Sequence, residues 1–151
     1  MAKDVYPLVN FHFHVSFIGL PKTKHLQIGF QSVSGLNVYT ENTFLKEGGE
    51  NRFVHQLPAG IRYTPIILKK GVVKKENSAL LQWCQNAFQN TIKQPIKGID
   101  IDVLDDKHQV LFRWHLSYVW PMRWEIGKLD AEKGEILIET LVLKYNYFQL
   151  V

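Results

Sequence analysis

A single cysteine, Cys84, stands in 151 residues, so no internal disulfide framework is available. A reducing compartment is the simplest reading of that usage. No apolar run approaches the length needed to cross a bilayer, so stable membrane insertion is not expected. The first residues, Met-Ala-Lys-Asp-Val-Tyr-Pro, lack the basic-then-apolar pattern of a signal peptide, which points to assembly in a cytoplasm. The formal net charge is +4, but charge is not blocked: Lys69-Lys70 and Lys74-Lys75 are the densest runs, too short for a nucleic-acid tail.

Catalytic and metal-binding patterns are equally thin. There is no GxGxxG, P-loop, nucleophile elbow or His-Glu zinc motif. His12 and His14 share one face of a strand, but no third ligand is evident, and a solvated strand face is the better reading. Asp100 and Asp102 alternate with Ile99, Ile101 and Val103, which reads as an exposed strand face rather than a catalytic carboxylate pair. Cys84 falls on the apolar face of a helix and reads as a small buried hydrophobe. No catalytic residue, cofactor or metal is therefore assigned.

What the chain does have is aromatic and apolar content in short alternating runs. It is 46% hydrophobic and 13% aromatic, with nine Phe, six Tyr and four Trp. That balance suits one β-rich domain over residues 1–151. Phe11, Phe13, Val15 and Phe17 alternate with His12, His14 and Ser16 to give a half-buried strand. Leu26, Ile28 and Phe30 suggest a second, and Ser32–Leu36 a bend. Ile61–Val73 reads as a strand, with Pro65 marking an edge or bulge and Lys69-Lys70-Gly71 its end. Phe112, Trp114, Leu116, Tyr118 and Trp120 occupy one face of a later strand that Pro121 breaks. Trp124–Gly134 is a linker, and Glu135–Phe148 a long final strand.

One helix is predicted over about residues 78–92. Asn77 or Ser78 is its N-cap, and Leu80, Trp83, Cys84, Ala87 and Phe88 form its apolar face. The sum is about seven or eight strands with that helix alongside. The expected fold is mainly β: an antiparallel β-barrel of two packed sheets, one flanking α-helix and an extended β-hairpin arm.

The arm is expected over about residues 41–58. It comprises Glu41, Asn42, Thr43, Phe44, Leu45, Lys46, Glu47, Gly48, Gly49, Glu50, Asn51, Arg52 and Phe53, with Leu57 and Pro58 before a second turn at Pro58-Ala59-Gly60. Gly48-Gly49 permits positive φ and a tight reversal. The flanks mix Tyr39, Phe44, Phe53 and Val54 with polar residues, so no single buried face is evident. A lone hairpin is marginal in water, and a covering neighbour is expected. The aromatic content and basic pI of about 9.1 also raise an oligonucleotide-binding barrel, but the large aromatics share the parity of the core.

The order of these signals resembles the inner-tube protein family of contractile injection systems. The matching pieces are Phe17-Ile18-Gly19, Gly29–Leu36, Glu47-Gly48-Gly49-Glu50-Asn51, Leu57-Pro58 and Tyr63–Gly71. Further on come Leu81–Cys84, Ile101–Asp105, Trp120–Trp124, Leu129-Asp130-Ala131 and Glu135–Leu141. Together they run from about Phe11 to Phe148. The loop Pro21–His25 and the aromatic end Tyr145–Val151 depart from a minimal member. The resemblance implies a structural protomer without catalysis that joins its own kind into six-fold rings. Rings would stack into a hollow tube inside a contractile sheath, in a phage tail or an extracellular injection particle, akin to the type VI secretion tube. Implied partners are the sheath, the baseplate and spike, tube-initiator proteins and protein cargo in the lumen. The same resemblance covers tube-initiator rings seated on the baseplate; the shaft is the reading adopted here. It also implies that residues 41–58 reach a neighbouring subunit or ring.

Overall fold

The computed structural model describes residues 12–21, 23–45, 55–72, 79–89 and 94–151. Ten strands and one helix follow in the order β1 (Phe13–Leu20), β2 (Thr23–Ile28), β3 (Ser32–Ser34), β4 (Val38–Leu45), β5 (His55–Tyr63), β6 (Ile66–Gly71), α1 (Ala79–Gln89), β7 (Ile96–Leu104), β8 (Val110–Ile126), β9 (Ile138–Lys144) and β10 (Tyr147–Leu150). The fold is mainly β and wholly antiparallel. Eight strands pair in the order β2-β1-β7-β8-β9-β6-β3 with β10 also on β8, while β4 and β5 pair with each other. Because β2 and β3 end the path without meeting, the barrel is not closed by a continuous ladder among the described residues.

Strand β8 makes one ribbon into two layers. Its first half, up to Val119, pairs with β7; its second half, from Trp120, pairs with β9. Along its other partner the register runs on unbroken, from Lys144 opposite Trp120 to Tyr147 opposite Ser117. The expected final strand is thus present but interrupted at Tyr145-Asn146, opposite a bend in β8. At that bend Tyr118 takes a φ of 59°. Leu116 and Val119 are both buried, whereas Tyr118 is 52% exposed. Simple alternation would have put Tyr118 inside with Leu116; the left-handed residue shifts the inward parity by one. Pro121 does not end the strand as expected. It sits at a register shift before Arg123, where a missing N–H is tolerated. Strands that bend at such irregularities are how a sheet turns a corner into a second layer.

The core lies between the layers. Val15 and Phe17 of β1, Ile99 and Ile101 of β7, Leu116 and Val119 of β8, Ile66 and Leu68 of β6 and Leu141 and Leu143 of β9 are all buried. Each such side chain contributes about 1.5–3 kcal/mol by leaving water. Helix α1 adds Leu80, Trp83 and Cys84 to this cluster. Trp83 Nε1–H donates to the Gln94 carbonyl at 2.6 Å. Phe88, expected on the same face, is exposed. Asn77, Ser78 and residues 90–92 lie outside the described residues.

Strand β6 ends at Lys69-Lys70-Gly71 as expected, but Lys70 is not a surface lysine: it lies on the inward parity after Leu68 and pairs with Glu139 at 3.3 Å, nearly buried. Burial, and then the charge of Glu139, push the Cys84 thiol up to about 12. Three loop expectations also shift. Ser32–Ser34 is a strand on β6 rather than a bend, Thr23–His25 begins β2 rather than extending a loop, and β8 runs on to Ile126 where a linker was expected.

The junction between β3 and β4 is set by Gly35, whose φ is 97°. A Cβ there would run into the Pro65 carbonyl. Thr64 ties the same point down: its Oγ1 donates to the Gly35 carbonyl at 2.8 Å and its N–H to the Asn37 carbonyl at 3.2 Å. Gly35→Ala is therefore expected to destabilise the fold by about 2 kcal/mol or more. Urea unfolding of the two proteins measures it; a loss within about 0.5 kcal/mol would show that the junction relaxes freely.

Candidate assembly surfaces

The expected arm is present as a two-stranded ribbon, and it is longer than expected. Register runs from Val38 opposite Tyr63 to Leu45 opposite His55, with a shift between Glu41 and Asn42. Pro58-Ala59-Gly60 is not a turn. It lies inside β5, where the pairing passes from Gly60 to Pro58 and leaves Ala59 as the extra residue. A proline fits there because a two-stranded ribbon has a free edge on each side. Of the arm residues expected from sequence, Glu41, Asn42, Thr43, Phe44 and Leu45 fall on β4, and Leu57 and Pro58 on β5. Lys46, Glu47, Gly48, Gly49, Glu50, Asn51, Arg52 and Phe53 lie outside the described residues.

Near its root the ribbon has two unlike faces. Tyr63, Val38, Thr40 and Ile61 share one, by direct and next-but-one pairing; Tyr39, Arg62 and Glu41 share the other. Arg62 Nε reaches Glu41 Oε2 at 3.1 Å across the polar face. On the apolar face, Tyr63 packs edge-on against Tyr145 and Phe148, with centroids 6.0 and 5.2 Å away. The Tyr145 hydroxyl donates to the Thr64 carbonyl at 2.7 Å. Burial, and then Tyr63, push that hydroxyl up to about 12. Beyond this anchored root the face is bare: Val38 is exposed and Ile61 is 62% exposed.

A second bare apolar set sits on the loop between β8 and β9, where Leu129 is 77% and Ile136 79% exposed. The Leu129–Ala131 motif lies here, with Lys128 Nζ 3.9 Å from Asp130. Trp120–Trp124 lies in the second half of β8, and Trp124 packs on the core.

Of the histidines and aspartates singled out from sequence, His14, Asp100 and Asp102 join Arg113 and His115 in a connected polar row on the outward side of β1, β7 and β8. His14, Asp102 and Arg113 are register neighbours, as are Asp100 and His115. Arg113 donates from Nε and Nη2 to the two carboxylate oxygens of Asp102 at 2.7 and 3.0 Å. His115 Nδ1 lies 2.5 Å from Asp100 Oδ1. His14 Nδ1 is buried without a hydrogen bond, 3.6 Å from Asp102. The expectation of an exposed carboxylate face is wrong at Asp102, which is 1% exposed. The Asp102 hydrogen bonds, then its charge, hold the Arg113 guanidinium above its usual range. His12 packs edge-on to His108 rather than joining His14. Among the described residues no three His, Cys, Asp or Glu side chains gather as a metal site would need. The row acts as a strap across three strands. Asp102→Ala should cost about 1.5–3 kcal/mol in urea unfolding, as a hydrogen-bonded charge pair does; no loss would mean that solvent replaces it.

The fold is one with known relatives. A chain in the cryo-EM structure of the anti-feeding prophage baseplate, six-fold symmetrised, aligns with a TM-score of 0.84 at 29% identity, covering 97% of this chain and 96% of that one. A chain in the extended sheath–tube complex of the PVC extracellular contractile injection system aligns at 0.78 and 24%, covering 98% and 93%. A type six secretion system protein aligns at 0.57 and 11%, covering 93% and 82%. The last two likenesses are of fold alone. No curated protein matches the chain. The sequence model of the T4-like virus tail tube protein gp19 family matches residues 9–149. Spanned almost end to end by that match, the chain belongs to this family and is a structural tail tube protein of the contractile-injection type.

Proposed function

We propose that this chain is one domain whose copies close into a six-membered ring, and that rings stack into the hollow inner tube of a contractile injection particle. The observation that carries this is the ribbon: β4 and β5 leave Val38 and Ile61 bare on a chain of the tail tube family. Among the described residues β2 and β3 each pair on one side, which adds two open sheet margins. A surface that meets a different surface on an identical neighbour makes a ring when the rotation closes. The sheath encloses the tube, the baseplate and spike seat it, and its bore admits protein cargo. Assembly in the cytoplasm precedes release as a phage tail or extracellular particle. The protomer's role is mechanical, with no reaction assigned to it.

A second reading, a tube-initiator ring, draws on the likeness at 29% identity to a chain in a baseplate structure. The two readings part on self-assembly. The shaft reading expects rings and tubes from the chain alone, the initiator reading rings only when the baseplate is supplied.

Negative-stain microscopy and light scattering of the purified chain test the proposal. Six-fold rings or tubes are expected. Ile61→Asp should change monomer stability by less than about 0.5 kcal/mol, since it removes no buried contact, yet sharply reduce ring yield. Monomers at high concentration, with and without baseplate components, would refute the ring.

A further inference from the structure

The bend at Tyr118 is shared by the strand beside it. Ile96 and Val119 are buried, as are Ile99 and Leu116 further along, yet between them Lys97 and Tyr118 are exposed. A bulky residue at a φ of 59° is strained, and strain of this kind collects where a surface makes contacts. The Tyr118 ring meets Trp120 edge-on, with centroids 6.1 Å apart. By register Lys97 falls opposite Tyr118 on β7, and Lys144 lies opposite Trp120 on β9. Both lysines are exposed, and among the described residues neither makes an ion pair. No carboxylate occupies a register position next to either one. Beside Trp120 a hollow of about 350 Å³ opens between β8, the end of β9 and the Thr64-Pro65 link, with Met122 and Lys144 on its wall.

We propose that this patch docks an acidic segment of a partner protein, with one apolar side chain seated between Trp120 and Pro65 and its carboxylates held by Lys144 and Lys97. The inference goes beyond the tube reading and does not depend on ring closure. Charge selects the occupant. Two cations without counter-charges flank the aromatic pair, and an acidic segment supplies what they lack. Exposed Tyr118 and Met122, with half-buried Trp120, are the residue types that anchor protein contacts. A nucleic-acid strand fits less well. Serial base stacking needs ring faces laid bare side by side, and these two rings cross at 72°. The arginines next along β5 and β8 are engaged by carboxylates, Arg62 by Glu41 and Arg123 by Glu125, so neither offers a free fork to phosphate.

The test measures binding of a labelled peptide, one phenylalanine between two runs of glutamate, to the full chain by fluorescence anisotropy. Saturable binding that weakens as salt is added is expected. Lys97→Gln with Lys144→Gln should weaken it by about tenfold or more. Tyr118→Gly should weaken it comparably while leaving the urea midpoint unchanged or raised, because glycine takes a positive φ without strain. A lowered midpoint with unchanged binding would make Tyr118 merely structural and overturn its role here. Equal binding of the peptide with glutamine in place of glutamate, or full binding by the lysine double variant, would overturn the proposal. So would tighter binding of an oligothymidylate, which would assign the patch to nucleic acid. Release of the peptide when the chain assembles would give the patch to a second copy and likewise overturn it, leaving the tube reading standing.

Discussion

A two-stranded β-ribbon cannot hold itself in water. It has two free edges and two faces, and each hydrogen bond between its strands competes with solvent. Among the described residues the ribbon is fixed at its foot, where Tyr63 is wedged against Tyr145 and Phe148 and Thr64 bonds to Gly35 and Asn37. Past that point Val38 and Ile61 face outward from an otherwise ordinary sandwich. In the tube proposed above, a second copy of the chain supplies their cover.

The rest of the fold presents the ribbon at a fixed angle. One long strand, β8, binds β7 and β10 with its first half and β9 with its second. The bend at Tyr118 and the shift at Pro121 divide the two layers. Tyr145 lies in the break between β9 and β10, opposite that corner, and carries the hydrogen bond to the ribbon's root. Helix α1 adds Trp83 and Cys84 to the shared core, and the nearly buried Lys70–Glu139 pair stands beside that thiol. The polar row through Asp102 and Arg113 straps the first layer from outside.

Much of this was legible in the sequence because it depends on local periodicity. Val15 and Phe17 announced the core face of β1, and Leu80, Trp83 and Cys84 the inner face of the helix; the single strand expected over Ile61–Val73 instead divides at Thr64-Pro65, its start on the ribbon and Ile66–Gly71 in the larger sheet. The ribbon was legible as an arm, though Pro58-Ala59-Gly60 imitates a turn and shortened it. The failures share a cause: they depend on what lies across the sheet. Tyr118 and Val119 exchange faces through one left-handed residue that no alternation reveals. Asp102 is buried because Arg113 and His14 close over it, and Lys70 because Glu139 waits at its pairing position. Neither partner is near in sequence. The amphipathic split of the ribbon root needs the register of β4 against β5, which composition does not fix.

Amide hydrogen exchange of β4 and β5 in the free chain and in the assembled particle addresses the dependence on sibling copies most directly. Mutual completion predicts that amides beyond Val38 and Tyr63 exchange rapidly in the monomer, by opening of the uncovered ribbon, and become protected on assembly, while core strands β1 and β7 change little. Ribbon amides as protected in the monomer as in the assembly would contradict it, because the ribbon would then already have its cover.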